Sequence, residues 1–351
     1  MALLEVQDLK VHFPIKGGIL GRTVGYVKAV DGVTFSIKEG QTMGLVGESG
    51  SGKSTISKAI LGLAPITSGK IIFAGKDITR SIYRNRSTYR KSVQMIFQDV
   101  YSSLNPRKRV HDIIAEPLRN FENLSKNEEK KRVDELLAIV GLNSENSVKY
   151  PFEFSGGQRQ RIGIARAIAL KPRLIVADEP VSALDLSVQA QVLNHLKDIQ
   201  EELGLAYLFV SHDLGVVRHM CEDLVIMHNS RFVETGTRHD IYENPLHIYT
   251  KRLIAAIPDV NPTKRNENSA IRAEISKEYE AGVDKYYKNG VDVYDLRKVT
   301  DTHHVAVKKV SAEIYEASRV SPNEVPTTAE RQSLGQNLVE NEQHLNNLGG
   351  E

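Results

Sequence analysis

The segment Gly47-Glu48-Ser49-Gly50-Ser51-Gly52-Lys53-Ser54-Thr55 constrains the fold more than any other stretch of the chain. It fits the pattern G-x-x-x-x-G-K-[ST], in which glycines let successive backbone N–H groups converge on one anion. Before it, the apolar run Met43-Gly44-Leu45-Val46 reads as a buried strand; after it, Lys53 to Leu63 reads as a helix. That junction matters, because the first helical turn adds unpaired N–H groups and the positive end of the helix dipole. The dipole contributes about 0.3 to 1 kcal/mol per charge near the terminus. A glycine-rich turn that merely caps a helix is the plainer alternative, and the flanking strand and helix weigh against it. In the phosphate-binding reading, Lys53 reaches the β- and γ-phosphates of a nucleotide while the Ser54 hydroxyl ligates Mg²⁺.

The rest of the chain repeats the alternation of strand and helix. In Val33-Thr34-Phe35-Ser36-Ile37-Lys38 every second residue is apolar and Glu39-Gly40 follows as a turn, the pattern of a half-exposed antiparallel sheet. Residues from about 99 to 165 read as a helical insertion. Within it Ser125 and Glu128 form a capping box, Val133, Leu136, Leu137 and Val140 make an apolar stripe, and Gly141 is a stop. Strand signals resume at Leu174-Ile175-Val176-Ala177. A helix follows with Val188, Val192, Leu196, Ile199 and Leu203 on one face and Gly204 at its end, and then the strand Tyr207-Leu208-Phe209-Val210. This order predicts an α/β fold, a mostly parallel sheet with helices on both faces, in a domain spanning residues 1–258. Pro258 and Pro262 mark a break, residues 259–320 read as a small C-terminal extension, and the apolar-poor stretch 321–351 as a disordered tail.

Composition removes several alternatives. Forty-six basic residues against forty-four acidic ones leave a net charge of +2, without the global basic field that draws proteins to nucleic acid. No apolar stretch approaches the ~18 to 20 residues a membrane helix needs, and Glu5 and Asp8 sit where a signal peptide would be cationic and then apolar. A soluble, intracellular chain is the expectation. The single cysteine, Cys221, excludes an intrachain disulfide and reads as a packing residue.

A magnesium nucleotide also needs an acid at the end of a neighbouring strand. Leu174-Ile175-Val176-Ala177-Asp178-Glu179 supplies two: Asp178 to hold the metal through water, and Glu179 to orient or deprotonate the attacking water.

The remaining motifs resemble those of the ABC ATPases. Phe154-Ser155-Gly156-Gly157-Gln158 is similar to that family's signature LSGGQ, with Phe in place of Leu. Gln98 resembles the Q-loop glutamine, Ser182-Ala183-Leu184-Asp185 the D-loop, and His212 the switch histidine, all in the family's order. The resemblance implies an ABC-type P-loop ATPase with a mostly parallel core sheet, an antiparallel β-subdomain and an inserted helical subdomain. It implies that His212 and Lys53 meet the γ-phosphate from one side, and that Ser155 with the amides of Gly156 and Gly157 meets it from a second subunit. Gln158 and Asp185 belong to that same shared nucleotide interface, and Gln98 bridges metal and helical subdomain. The family stacks adenine on an aromatic residue some way before the phosphate loop. The ungapped position here is Val24, so Tyr26 is the nearest candidate, or Phe13 if Lys16 to Gly25 loops out.

Within the family, the wording is closest to ATP-binding subunits of oligopeptide and dipeptide importers, the F-type subunit in particular. Val46 to Thr55, Gln98 to Arg107, Asp178 to Gln191 and Asn244 to Pro258 carry that likeness, which spans roughly residues 3 to 260. It implies two transmembrane permease subunits, a second and different ATP-binding subunit, an extracytoplasmic substrate-binding protein reached indirectly, and a place on the cytoplasmic face of the cell membrane. An importer of nickel or another small solute is the alternative. A soluble, non-transport ABC ATPase is a further one, disfavoured by the single phosphate loop and by the short separation of Lys53 from Ser155. Some relatives carry C-terminal cysteines thought to hold an iron–sulfur cluster; with no cysteine after Cys221, this chain has none. The pair His303-His304 has no acid or cysteine cluster beside it in sequence and reads as solvated.

Overall fold

The computed structural model describes residues 2–17, 21–83, 87–99, 103–257, 265–311 and 314. Pro258, Pro262 and the stretch 321–351 expected to be disordered lie outside them. Strands β1 (Ala2–Gly17) and β2 (Arg22–Lys38) form a long antiparallel hairpin paired up to the Gly17–Arg22 rung, so the looping-out on which the Phe13 alternative depends is absent from the described residues of that stretch. β3 (Thr42–Val46) enters the interior, and α1 (Lys53–Ile60) leaves the phosphate loop. β4 (Ser68–Phe73) and β5 (Lys76–Asp77) return to the hairpin and complete a four-stranded antiparallel sheet in the order β2-β1-β4-β5.

After α2 (Ser87–Ser92) and β6 (Val93–Ile96), three helices make a lobe: α3 (Val110–Phe121), α4 (Lys126–Ile139) and α5 (Gly156–Ile168). The capping box foreseen at α4 is present, with Ser125 and Glu128 satisfying each other's backbone N–H groups. β7 (Leu174–Asp178), α6 (Leu186–Leu203), β8 (Ala206–Ser211), α7 (Leu214–Met220) and β9 (Asp223–His228) follow, with Gly204 ending α6 in the left-handed region at φ 64°. β10 (Arg231–Thr237), α8 (Arg238–Glu243) and α9 (Ile248–Ala256) come next. The C-terminal part adds α10 (Arg265–Tyr286), β11 (Tyr287–Lys288), β12 (Asp292–Val293), β13 (Leu296–Lys298) and β14 (His304–Ala306).

The central sheet has eight strands in the order β13-β14-β10-β9-β3-β8-β7-β6. β9, β3, β8, β7 and β6 run parallel; β10, β14 and β13 are antiparallel at one edge. β7 and β8 are buried at every position, as strands covered on both faces must be. Their side chains alternate between two cores. Ile175, Ala177, Tyr207 and Phe209 pack with the helical lobe and the C-terminal part, whereas Leu174, Val176, Leu208 and Val210 pack with α1 and the antiparallel sheet. The segment set apart at 259–320 supplies β13 and β14, and β14 pairs with β10, so this region extends the central sheet itself. No helix among the described residues is long and apolar enough to cross a membrane.

Candidate functional site

All the parallel strands end at one rim, and the loops after β3, β6, β7 and β8 meet there over a cleft of about 630 Å³. Glu48, Ser49, Gly50, Gly52, Lys53, Ser54, Thr55, Gln98, Glu179 and His212 line it, joined by Val27, Lys28, Ala29 and Ser230. The last four were not foreseen. They carry no chemical signature, and only the bend of β2 and the β9–β10 turn brings them to the rim.

The loop's glycines are required by backbone conformation at Gly50 and Gly52 and by space at Gly47 and Gly52. Gly50 and Gly52 sit at φ 82° and 114°, and a Cβ on Gly52 would lie 2.2 Å from the Ala29 carbonyl oxygen. Gly52 is the N-cap of α1 and supplies no side-chain cap, so the helix presents its first amides without a partner from the cap residue. Lys53 is buried and its ammonium donates to the Gly47 and Glu48 carbonyl oxygens at 2.6 and 2.8 Å. Burial lowers its pKa, opposed by the carboxylates of Glu179, Asp178 and Glu48.

Asp178 ends β7, buried, with Ser54 Oγ 3.4 Å from its Oδ1. Burial raises its pKa; the Ser54 hydroxyl opposes this and neighbouring Glu179 adds to it. A buried carboxylate beside a second one, with a hydroxyl oxygen next to it, is a set of hard oxygen donors that suits Mg²⁺. Glu179 follows at φ 48°, a left-handed conformation unusual for a residue with a side chain and costing on the order of 1–3 kcal/mol. The turn aims its carboxylate at two partners from distant parts of the chain. Gln98 Nε2 donates to Oε2 at 2.7 Å, and His212 Nδ1 is 3.0 Å from Oε1.

The signature residues lie elsewhere. Ser155 caps α5, its hydroxyl accepting the Gln158 N–H while the Gln158 side chain accepts the Ser155 N–H. A Cβ on Gly157 would stand 2.5 Å from Val188 Cγ1, so glycine lets α5 pack on the start of α6. Ser155, Gly156, Gly157, Gln158 and Asp185, the N-cap of α6, do not line the cleft of their own chain. Tyr26 and Phe13 do not line it either; Tyr26 is 61% exposed on β2 beside Val27.

One expectation is overturned. His303 is fully buried, with Nε2 2.7 Å from Glu234 Oε1; the acid that pairs with it comes from β10, far away in sequence, so the neighbouring residues gave no sign of it. Sequence reasoning also missed Tyr249, whose hydroxyl accepts the Glu48 N–H at 2.9 Å across 201 positions.

Comparison with known proteins bears on most of the chain. The family model described as ABC transporter matches residues 30–182, and that described as Oligopeptide/dipeptide transporter, C-terminal region, matches 233–285. The oligopeptide transport ATP-binding protein OppF of Lactococcus lactis subsp. lactis is 56% identical over 307 residues, covering 88% of this chain and 96% of its own. The dipeptide transport ATP-binding protein DppF of Escherichia coli is 45% identical over 273 residues, covering 78% and 81%. Among solved structures, cbiO1 from Clostridium perfringens, part of an ABC transporter complex, matches with TM-score 0.59 at 26% identity, covering 69% of this chain and 91% of that one. The ATP-binding cassette MJ0796, solved as a dimer bound to ADP and Pi, matches with TM-score 0.58 at 27% identity, covering 67% and 98%.

Proposed function

Because this chain belongs to the ABC transporter family of ATP-binding subunits, we propose that its cleft hydrolyses ATP to power the import of oligopeptides or dipeptides. The observation that carries the chemistry is the meeting of Gln98 and His212 on the Glu179 carboxylate at the end of β7. In this reading Lys53 and the amides at the start of α1 hold the β- and γ-phosphates, and the remaining loop residues from Gly47 to Thr55 shape their cradle. Ser54 and Asp178 would hold Mg²⁺, with Gln98 as a further oxygen donor, and bound there it would neutralise phosphate charge. Glu179 orients the attacking water and takes its proton, its orientation set by the two hydrogen bonds it already makes. His212, which lines the same cleft, stabilises the charge on the γ-phosphoryl group as it is transferred to water.

Half of the site is contributed by another subunit. Ser155, Gly156, Gly157 and Gln158 do not line their own chain's cleft, which fits a head-to-tail dimer in which they close over the partner's nucleotide, with Asp185 at the same junction. ATP then becomes part of the interface, and Gln98 passes closure to the helical lobe as a rigid-body rotation. Two permease subunits receive that movement, with a second, different ATP-binding subunit completing the dimer at the cytoplasmic face of the membrane. An extracytoplasmic binding protein delivers the peptide to the permeases. Tyr26, next to the cleft-lining Val27 on β2, is the aromatic residue we assign to adenine.

Growth on peptides tests the assignment. A strain lacking the chain should fail to use di- and oligopeptides as the source of a required amino acid while growing on the free amino acid. The parental chain should restore growth and Glu179→Gln should not. Unimpaired peptide use without the chain, with loss of nickel uptake, would assign the alternative substrate.

A further inference from the structure

The phosphate loop is gripped from behind. The Gly47 carbonyl and the Glu48 N–H are the two ends of one peptide group. Lys53 Nζ donates to that carbonyl at 2.6 Å, and the N–H donates to the Tyr249 hydroxyl at 2.9 Å. Rotating this peptide would break both bonds together. Gly47 also lies close against β9, where a Cβ in its place would stand 2.1 Å from the Met227 carbonyl oxygen.

Tyr249 is in turn held by the C-terminal part of the chain. Its ring lies against the His228 ring with centroids 4.1 Å apart, and His228 Nδ1 is 3.2 Å from the Tyr287 hydroxyl on β11. Tyr287 is 2% exposed and packs edge-on to His247, the N-cap of α9, whose ring nitrogen accepts the Tyr249 N–H. The same region holds the turn between β9 and β10. Asn229 donates to the Val291 carbonyl at 3.1 Å, and Arg231 donates to the Val293 carbonyl and to Asp295. On its other side that turn touches the loop, Ser230 N–H donating to the Ser51 carbonyl at 3.1 Å.

We propose that Tyr249 is a positioning residue for Lys53, and that the β11–β12 hairpin supports it, making the C-terminal part the back wall of the nucleotide site. Neither Tyr249 nor Tyr287 lines the cleft, so both act only through the Gly47–Glu48 peptide and the β9–β10 turn. Burial keeps both phenols protonated, with the Tyr249 pKa pushed up to about 12, so the hydroxyl that receives the Glu48 N–H is neutral. The inference rests on the reading of Lys53 as the phosphate-binding lysine.

A double-mutant cycle on the full chain tests it, with Mg-ATP affinity measured by calorimetric titration for the parent, Tyr249→Phe, Lys53→Ala and the pair. Removing one hydroxyl that receives a loop amide should weaken Mg-ATP about three- to tenfold in the parent. In the Lys53→Ala background it should weaken binding less than about twofold, because the carbonyl it orients no longer has a lysine to place. Tyr287→Phe should shift affinity in the same direction by less. Parental affinity in Tyr249→Phe, or an equal loss in both backgrounds, overturns the proposal, the second outcome leaving Tyr249 a packing residue. Lys53→Ala binding like the parent would overturn the phosphate-loop reading itself, a result distinguishable from the other two. Melting of the nucleotide-free variants is recorded alongside. Where Tyr249→Phe fails to fold, Tyr287→Phe carries the cycle, and parental affinity there overturns the support role.

Discussion

Two helices in this chain begin in glycine-rich sequence, and they solve the same problem in opposite ways. At α1 the cap is Gly52 at φ 114°, which offers no side chain; the amides of the first turn face the cleft with buried Lys53 among them. At α5 the cap is Ser155, and a complete capping box with Gln158 satisfies the helix start internally, while Gly157 serves close packing on Val188. The first leaves the helix start without a side-chain cap. The second is already complete as a fold element. Glycine content alone does not make a phosphate site; what matters is whether the helix start is capped from within and whether a charge is buried beside it.

The comparison assigns chemistry to the α1 side, where its loss should be most severe. Glu179→Gln keeps the shape but removes the base and should lower ATP turnover by about 10²- to 10⁴-fold while Mg-ATP still binds. Steady-state hydrolysis with a parallel binding titration checks it, and near-parental turnover would remove Glu179 from that role. Next in size is Lys53→Ala, expected to weaken Mg-ATP by roughly 10- to 150-fold, the loss of a charge-assisted hydrogen bond, with the fold intact. The ligand-induced shift in melting midpoint should shrink accordingly, and an unchanged shift would break the contrast between the two helix starts.

A third helix start sharpens the contrast by titrating. His247 caps α9 through a neutral ring nitrogen, and burial lowers its pKa from 6.5 to about 3. The unfolded chain therefore binds a proton that the folded one refuses, so this part of the stability is present above about pH 6.5 and is lost as pH falls towards about 3. Between pH 7 and 5 it should cost at most about 2 kcal/mol. His247→Asn keeps a capping side chain without the titration, so its melting midpoint should fall less over that interval than the parent's. Parallel pH curves for the two proteins would deny His247 the effect.

What was legible in sequence follows from local physics. The phosphate-loop motif, the acids around the end of β7 and the cap of α4 are short-range patterns, and each falls at the end of a strand or helix. β1 was missed as a strand because its alternation slips. Leu4 and Val6 are buried, then the register shifts before Leu9 and Val11, with Asp8 at φ 45° inside the bulge. The burial of His303 and the reach of Tyr249 were invisible for another reason, since Glu234 and Glu48 come to them only through tertiary structure. The cleft walls Val27 to Ala29 and Ser230 contribute shape without a residue type that announces it.

The claim that one chain's two glycine-rich helix starts serve different nucleotides is tested most directly by the Mg-ATP affinity of the isolated Ser155→Arg chain. A bulky cation at the cap of α5 stands outside this chain's own cleft. The dissociation constant should therefore stay within about twofold of the parent's, a change under about 0.4 kcal/mol, while hydrolysis by the assembled dimer is lost. A fall in affinity as large as that expected of Lys53→Ala would place the signature at its own chain's nucleotide and contradict the account.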